Sequence, residues 1–434
     1  MRGDACAYSL QTRTPPLDEI GMSETAIAMP PFKVAAAALR QTTERLAGEL
    51  ARPTDSPPVW SELDWAVARA AAAMQGTSVL LANHLRWSGP PLWQSFLAEQ
   101  QEQSLLRHSH IGTLLQRIDD AIRDAQIGAV ALKGAALREL DLYGPGARPM
   151  GDIDLLVRPD DLASIEIALR RLDYVPAYTS PRHAVLEPRI KSAPRALGEH
   201  IENPIKIEVH TNVAEQLPVR EVNISDCLYS RRNQPGINPY PGPGELMLHL
   251  LLHAAGNMRA HALRQIQLHD VVLLGGRLSV ADWCGLLEPP NGGERRWWLF
   301  PVLAMAERYY PGSIPQDALS KTRSMCPFSL RIATHRQALT DVSWSNLRIH
   351  ALPGIAWSRT PLEALRFIRS RALPSRAALA ELQQGREHNP QLYGVPWYGI
   401  SHGKRILRWL FARPPRVQTM LSLRAALGYE HSGI

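Results

Sequence analysis

The chain has 434 residues, 45% hydrophobic and 21% charged, which suits a soluble protein of two or three domains and excludes a wholly disordered one. Its four cysteines, Cys6, Cys227, Cys284 and Cys326, show no C-x-x-C spacing; that excludes a disulfide framework or zinc ribbon and fits a reducing, cytoplasmic setting. The net charge of +7 is concentrated after Ile355, where twelve Lys and Arg face four Glu, so stable nucleic-acid binding across the chain is not expected.

Residues 1–33 are Pro-containing and aperiodic and read as a flexible leader without a secretion signal. Residues 34–126 form an N-terminal helical region. Val34 to Ala51 is Ala-rich and ends before Pro53. After the linker Thr54 to Pro58, Ser61 is placed to cap a helix with Glu62 and Asp64 in its first turn. Leu92 to Ala125 is a long helix, or two broken near His110, with Leu97, Leu105, Leu114, Ile118 and Ile122 as buried candidates.

Residues 127–213 form an α/β core. The apolar run Ala129 to Leu132 stops at Lys133-Gly134, and a helix follows with Ala136, Leu137 and Leu140 on one face. Gly144-Pro145-Gly146 closes it. Gly151 to Val157 is a strand, and Pro159 opens a helix to Arg171 with Ile165, Ala168, Leu169 and Leu172 periodic. Tyr174-Val175, His183 to Leu186 and Ile205 to His210 complete a small mixed sheet. Residues 214–243 read as a loop-rich linker. Residues 244–345 are helical: Glu245 to Met258, Leu263 to Leu274, Val280 to Leu287 and Trp297 to Tyr309. The longest apolar run, Leu246 to Ala255, is too short to span a bilayer. Residues 346–434 form a basic tail in which Ile406, Leu407, Leu410 and Phe411 share one helical face. That segment is expected to fold back with its basic face in solvent; weak peripheral membrane contact by 403–413 is the rival.

The chemistry concentrates on Asp152 and Asp154. At i and i+2 of a strand they point to one face, about 6–7 Å apart, and repel unless a cation lies between them. Such pairs are common on solvated strands, but three neighbours favour a metal site. A Gly turn opens a helix upstream, Arg148 lies just before the strand, and the later strand Ile207-Glu208-Val209-His210 brings Glu208. His249 and His253, at i and i+4, suggest zinc only weakly, because the H-E-x-x-H glutamate is absent. Packed, hydrogen-bonded histidines are the expectation there.

Leu132-Lys133-Gly134, Arg148 to Val157 and Ile207 to His210 together resemble the DNA polymerase beta-like nucleotidyltransferase superfamily. They are most similar to the bacterial family described as uncharacterised nucleotidyltransferase, over about residues 60–315. The resemblance implies an α+β fold, a small mixed sheet flanked by N-terminal and C-terminal helical regions. It further implies transfer of a nucleoside monophosphate, AMP from ATP, to a hydroxyl or phosphate of an unidentified small-molecule or macromolecular acceptor. On that reading Asp152, Asp154 and Glu208 are catalytic and hold one or two Mg²⁺ ions. Lys133, Gly134 and Arg148 cradle the triphosphate, and His253 and Asp270 make hydrogen bonds between domains. Two departures stand out: Ala135 follows Gly134 where the superfamily has Gly or Ser, and Glu208 stands where Asp is commoner. They keep open an inactive nucleotide-binding or scaffold protein with the same fold.

Overall fold

The computed structural model describes residues 29–179, 183–190, 192, 195, 197–229, 234–288, 295–375, 379, 403, 404, 406 and 415–429. Most of the leader and of the amphipathic segment 403–413 lies outside the described residues. Four helices come first: α1 (Phe32–Ala51), α2 (Glu62–Gln75), α3 (Ser78–His84) and α4 (Pro91–Asp124). Ser61 caps α2 through a reciprocal bond with Asp64, and α2 stops where Gly76 adopts φ +68°.

Helix α4 runs unbroken through His110 for 34 residues. Its buried line steps by three and four through Leu97, Gln100, Ser104, Arg107, Ile111, Leu114, Ile118 and Ile122. Leu105, expected to be buried, lies one position off that line and is 48% exposed. Polar residues hold the core-facing positions because loop carbonyls meet them there. Ser104 donates to the Gly146 carbonyl at 2.6 Å, and Arg107 donates to those of His200, Asn203 and Met150.

The core carries β1 (Gly128–Ala131), α5 (Lys133–Glu139), β2 (Asp152–Val157), α6 (Leu162–Arg170), β3 (Tyr174–Thr179), β4 (His183–Pro188) and β5 (Lys206–His210). Leu140, expected on the apolar face of α5, caps its end and is exposed, since the helix stops at Glu139. A hairpin of β6 (Ala214–Gln216) and β7 (Glu221–Asn223), the turn-length α7 (Ser225–Leu228) and β8 (Gly236–Asn238) follow. Six strands pair in the order β3-β4-β5-β2-β1-β8. β2 with β5 and β1 with β8 are parallel and the other pairs antiparallel, so the sheet is mixed and the fold α+β.

Strand alternation splits this sheet cleanly. Ala129, Ala131, Ile153, Leu155, Val157, Ile207 and Val209 pack on one side with Ile111, Ile118 and Ile122 of α4 and Ile165 and Leu169 of α6. Val130 and Leu156 face the other side, toward the helices that follow. Those are α8 (Pro243–Ala260), α9 (Gln265–Gly275), α10 (Val280–Leu287) and α11 (Leu299–Tyr309). Helix α8 is buried almost all round and packs on α5 and β6, which places a helical wall over the second face. The helix Val417–Ala426 returns to α1 and α2, where Leu423 and Ala426 join Leu39, Val67 and Ala70. Among the described residues no helix is long and apolar enough to cross a membrane.

Candidate active site

The second face of the sheet turns polar where β2 and β5 begin. Asp154 pairs in register with Glu208, and Asp152 with Lys206. Parallel strands in register put partners side by side with their side chains on one face, so three carboxylates meet on two adjacent strands. Lys206 offers them nothing; its ammonium pairs with Glu187 of β4 at 2.8 Å.

Two donors converge on Asp154, which is only 4% exposed. Lys133 Nζ donates to its Oδ1 at 2.7 Å, and His210 Nε2 lies 2.8 Å from the same oxygen. Among the described residues no hydrogen bond reaches Oδ2. Lys133 sits at the hinge from β1 to α5 with φ +48°, a left-handed backbone that a lysine adopts at some strain. His210 also stands 3.6 Å from Glu208 Oε2 and stacks on the His183 ring, centroids 5.4 Å apart. One ligand atom each from Asp154, Glu208 and His210 falls within 4.8 Å of the others. His210 was legible by the same step of two residues that links Asp152 to Asp154.

Arg148 does not touch these carboxylates. Its Nε and Nη2 grip Asp270 of α9 at 2.7 and 2.8 Å, and Tyr143 donates to the same carboxylate at 2.7 Å. This bidentate pair ties the core to the helical region, the bond expected of Asp270. Gly134 is required beside it: a Cβ there would stand 2.6 Å from Arg148 Nη1. Lys133, Gly134 and Arg148 thus lie together, with Lys133 alone bonded to the acidic cluster. A cavity of about 300 Å³ lined by His108, Gly134, Arg138, Tyr143 and Arg148 shares two of these residues and none of the carboxylates.

The charges are set against one another. Burial raises the Glu208 carboxyl pKa, and the negative charges of Asp154 and Asp152 raise it further. Asp152 shifts the same way, through burial and then Asp154; it is exposed by area because it lies at the open end of a crowded cleft. Burial would raise Asp154 too, but the Lys133 charge and the His210 bond outweigh it and hold the group well below the usual carboxylate range. Burial works to lower the Lys133 pKa, and the charges of Asp154, Asp152 and Glu208 overturn it, leaving the amine above its usual value. The cluster is therefore short of positive charge around Asp152 and Glu208. A hard divalent cation with oxygen ligands fits that deficit and the open Oδ2 of Asp154.

From α8, His249 is buried and bonded to the Tyr240 hydroxyl at 2.7 Å. Burial, then the Lys133 charge, pushes its pKa well down, so it is a packed neutral imidazole. His253 Nε2 lies 3.1 Å from the Asn257 amide nitrogen, and its Nδ1 lies 3.8 Å from Glu215 of the hairpin.

A family model described as uncharacterised nucleotidyltransferase matches residues 61–311. That span takes in α2 to α11 and every residue of the cleft. No curated protein matches the chain, and no solved structure does.

Proposed function

Because the chain belongs to the uncharacterised nucleotidyltransferase family, we propose that it moves a nucleoside monophosphate, AMP from ATP, to a hydroxyl or phosphate of an acceptor with Mg²⁺ as cofactor. Nucleotidyl transfer itself comes with the family. The nucleotide, the cation and the residue roles are our reading. One observation carries it: Asp154 and Glu208 face each other in register beside Asp152, three like charges on one patch of sheet.

Asp152, Asp154 and Glu208 would hold the cation, with His210 as a fourth neighbour whose imidazole also admits Mn²⁺. A bound divalent cation supplies charge neutralisation at the α-phosphate and the leaving pyrophosphate. The rest belongs to the protein. Lys133, in its strained turn beside the carboxylates, would offset negative charge on the nucleotide phosphates. Arg148 is held by Asp270, whose carboxylate also accepts from Tyr143, and keeps its Nη1 side against Gly134, which would place a guanidinium edge at the same turn. Glu208 would either share the cation or take a proton from the acceptor hydroxyl as general base.

Incubation with α-labelled ATP, Mg²⁺ and fractionated lysate tests this. The expected result is label on one acceptor, lost in Asp152→Asn with Asp154→Asn. Binding of Mg²⁺ and ATP with no label in any fraction favours the inactive scaffold over the enzyme.

A further inference from the structure

The helix Pro361–Ala372 turns an apolar line to solvent. Thr360 caps it by accepting from the Glu363 amide, and Glu363 and Phe367 form its buried side. Glu363 is fixed by the Arg220 guanidinium at 2.7 Å and by the Arg359 amide at 2.8 Å. A surface helix ordinarily buries its apolar stripe and shows its polar one. Here Leu362, Leu365 and the C-cap residue Leu373, at i, i+3 and i+11, line the opposite side and are 56%, 62% and 72% exposed. Arg366 and Arg369 share that outer face.

The neighbouring helix Phe328–Arg336 packs with this one on the turn Ile355–Trp357, and Phe328 is 70% exposed. Glu363 is the one acid in the two helices and it is buried, so every exposed charge on them is positive. Clustered apolar exposure marks a surface that something covers, and the charge says what. The chain's own segment 403–413 is basic, with Lys404, Arg405, Arg408 and Arg413, and a second copy of this face brings the same sign. Like charge opposes both covers. Single-stranded nucleic acid would meet the arginines, but it binds by stacking on rings, and this helix offers leucines. A bilayer with anionic headgroups suits both residue types: leucines enter the acyl boundary while arginines reach back to the headgroups.

We infer that the outer face of Pro361–Ala372 is a peripheral docking surface for anionic lipid bilayers. It is separate from segment 403–413, where the sequence alone suggested membrane contact. The sequence hid it because Leu362 and Leu365 read as a buried stripe until Glu363 and Phe367 are seen to take that place.

Flotation of the full chain with vesicles of phosphatidylcholine alone, and of phosphatidylcholine with phosphatidylserine, tests this. Wild type should float with the mixed vesicles at low salt, far less with the neutral ones, and be released as salt rises. Leu362→Ser with Leu365→Ser should weaken partition about ten- to a hundredfold, and Arg366→Gln with Arg369→Gln about tenfold. All these side chains are exposed, so thermal unfolding should change little, and the two pairs are independent if one folds poorly. No flotation of wild type, or flotation unchanged in both pairs, overturns the inference. Flotation lost in Lys404→Gln with Arg405→Gln and Arg408→Gln but kept in both pairs gives the contact to segment 403–413 instead. Without flotation, binding of single-stranded RNA lost with the arginines gives the face to nucleic acid. A dimer in light scattering that the leucine pair dissolves, again without flotation, gives it to a second copy.

Discussion

The two faces of β2 follow opposite rules within six residues. Ile153, Leu155 and Val157 are fully buried against α4 and α6, where each large apolar side chain contributes about 1.5–3 kcal/mol by leaving water. Asp152 and Asp154 alternate with them on the face toward α8, where burial and repulsion from Asp154 raise the Asp152 pKa. The apolar face holds the sheet in place, and the polar face carries the charges we propose a cation balances. Local strain at Lys133 and unbalanced charge at Glu208 belong to the second face alone, as expected when structure is kept for a site rather than for stability.

Substitutions on the two faces should separate stability from binding. The largest loss of stability belongs to Leu155→Ala, a fully buried truncation that should cost about 2–5 kcal/mol in urea unfolding. The folded fraction should bind Mg²⁺ and ATP as before. Asp154→Ala comes next. It strands Lys133, one-fifth exposed, without its partner, and should cost about 2–4 kcal/mol while removing cation binding. Asp152→Asn, two residues away on the same face, should abolish cation binding with stability unchanged or raised, because burial and repulsion from Asp154 outweigh the carboxylate's attraction to Lys133. A fall in stability equal to that of Asp154→Ala would show that Asp152 is structural.

The smallest effect is one of pH. Glu208 has its pKa raised by the fold, so its charged form opposes folding above that value, and the penalty fades as pH falls through it. Glu208→Gln should therefore stabilise the metal-free protein near pH 7.5 by under about 1 kcal/mol, given its partial exposure. The gain should vanish toward pH 4. Asp154 runs the other way. Its depressed pKa gives stability present above the ordinary carboxylate value and lost only as pH falls far below it. A Glu208→Gln gain that grows with acidity would reverse the assigned sign.

Much of this was readable from the chain because strand alternation needs no tertiary knowledge. A step of two put Asp152 and Asp154 on one face, and the separate acidic strand offered Glu208; only the parallel β2–β5 register, set in three dimensions, made Asp154 and Glu208 neighbours. The same step would have added His210. The buried polar line of α4 defeated the apolar periodicity, since Gln100, Ser104 and Arg107 are buried for loop partners 42 to 99 residues away. β8 was hidden because three residues flanked by breakers carry no period, and its place beside β1 comes from pairing at long range. Nor did the pattern show that Lys133 rests on Asp154, or that Arg148 is committed to Asp270. Those follow from which helices cover the sheet.

The central claim is that the polar face of β2 and β5 is a divalent-cation site. Thermal unfolding with and without saturating MgCl₂ or MnCl₂, in wild type and in Asp152→Asn with Glu208→Gln, tests it most directly. A ligand at about 100 times its Kd stabilises by about 2.7 kcal/mol, so wild type should gain a few degrees and the double variant none. An equal gain in both proteins, or none in wild type, would contradict the assignment.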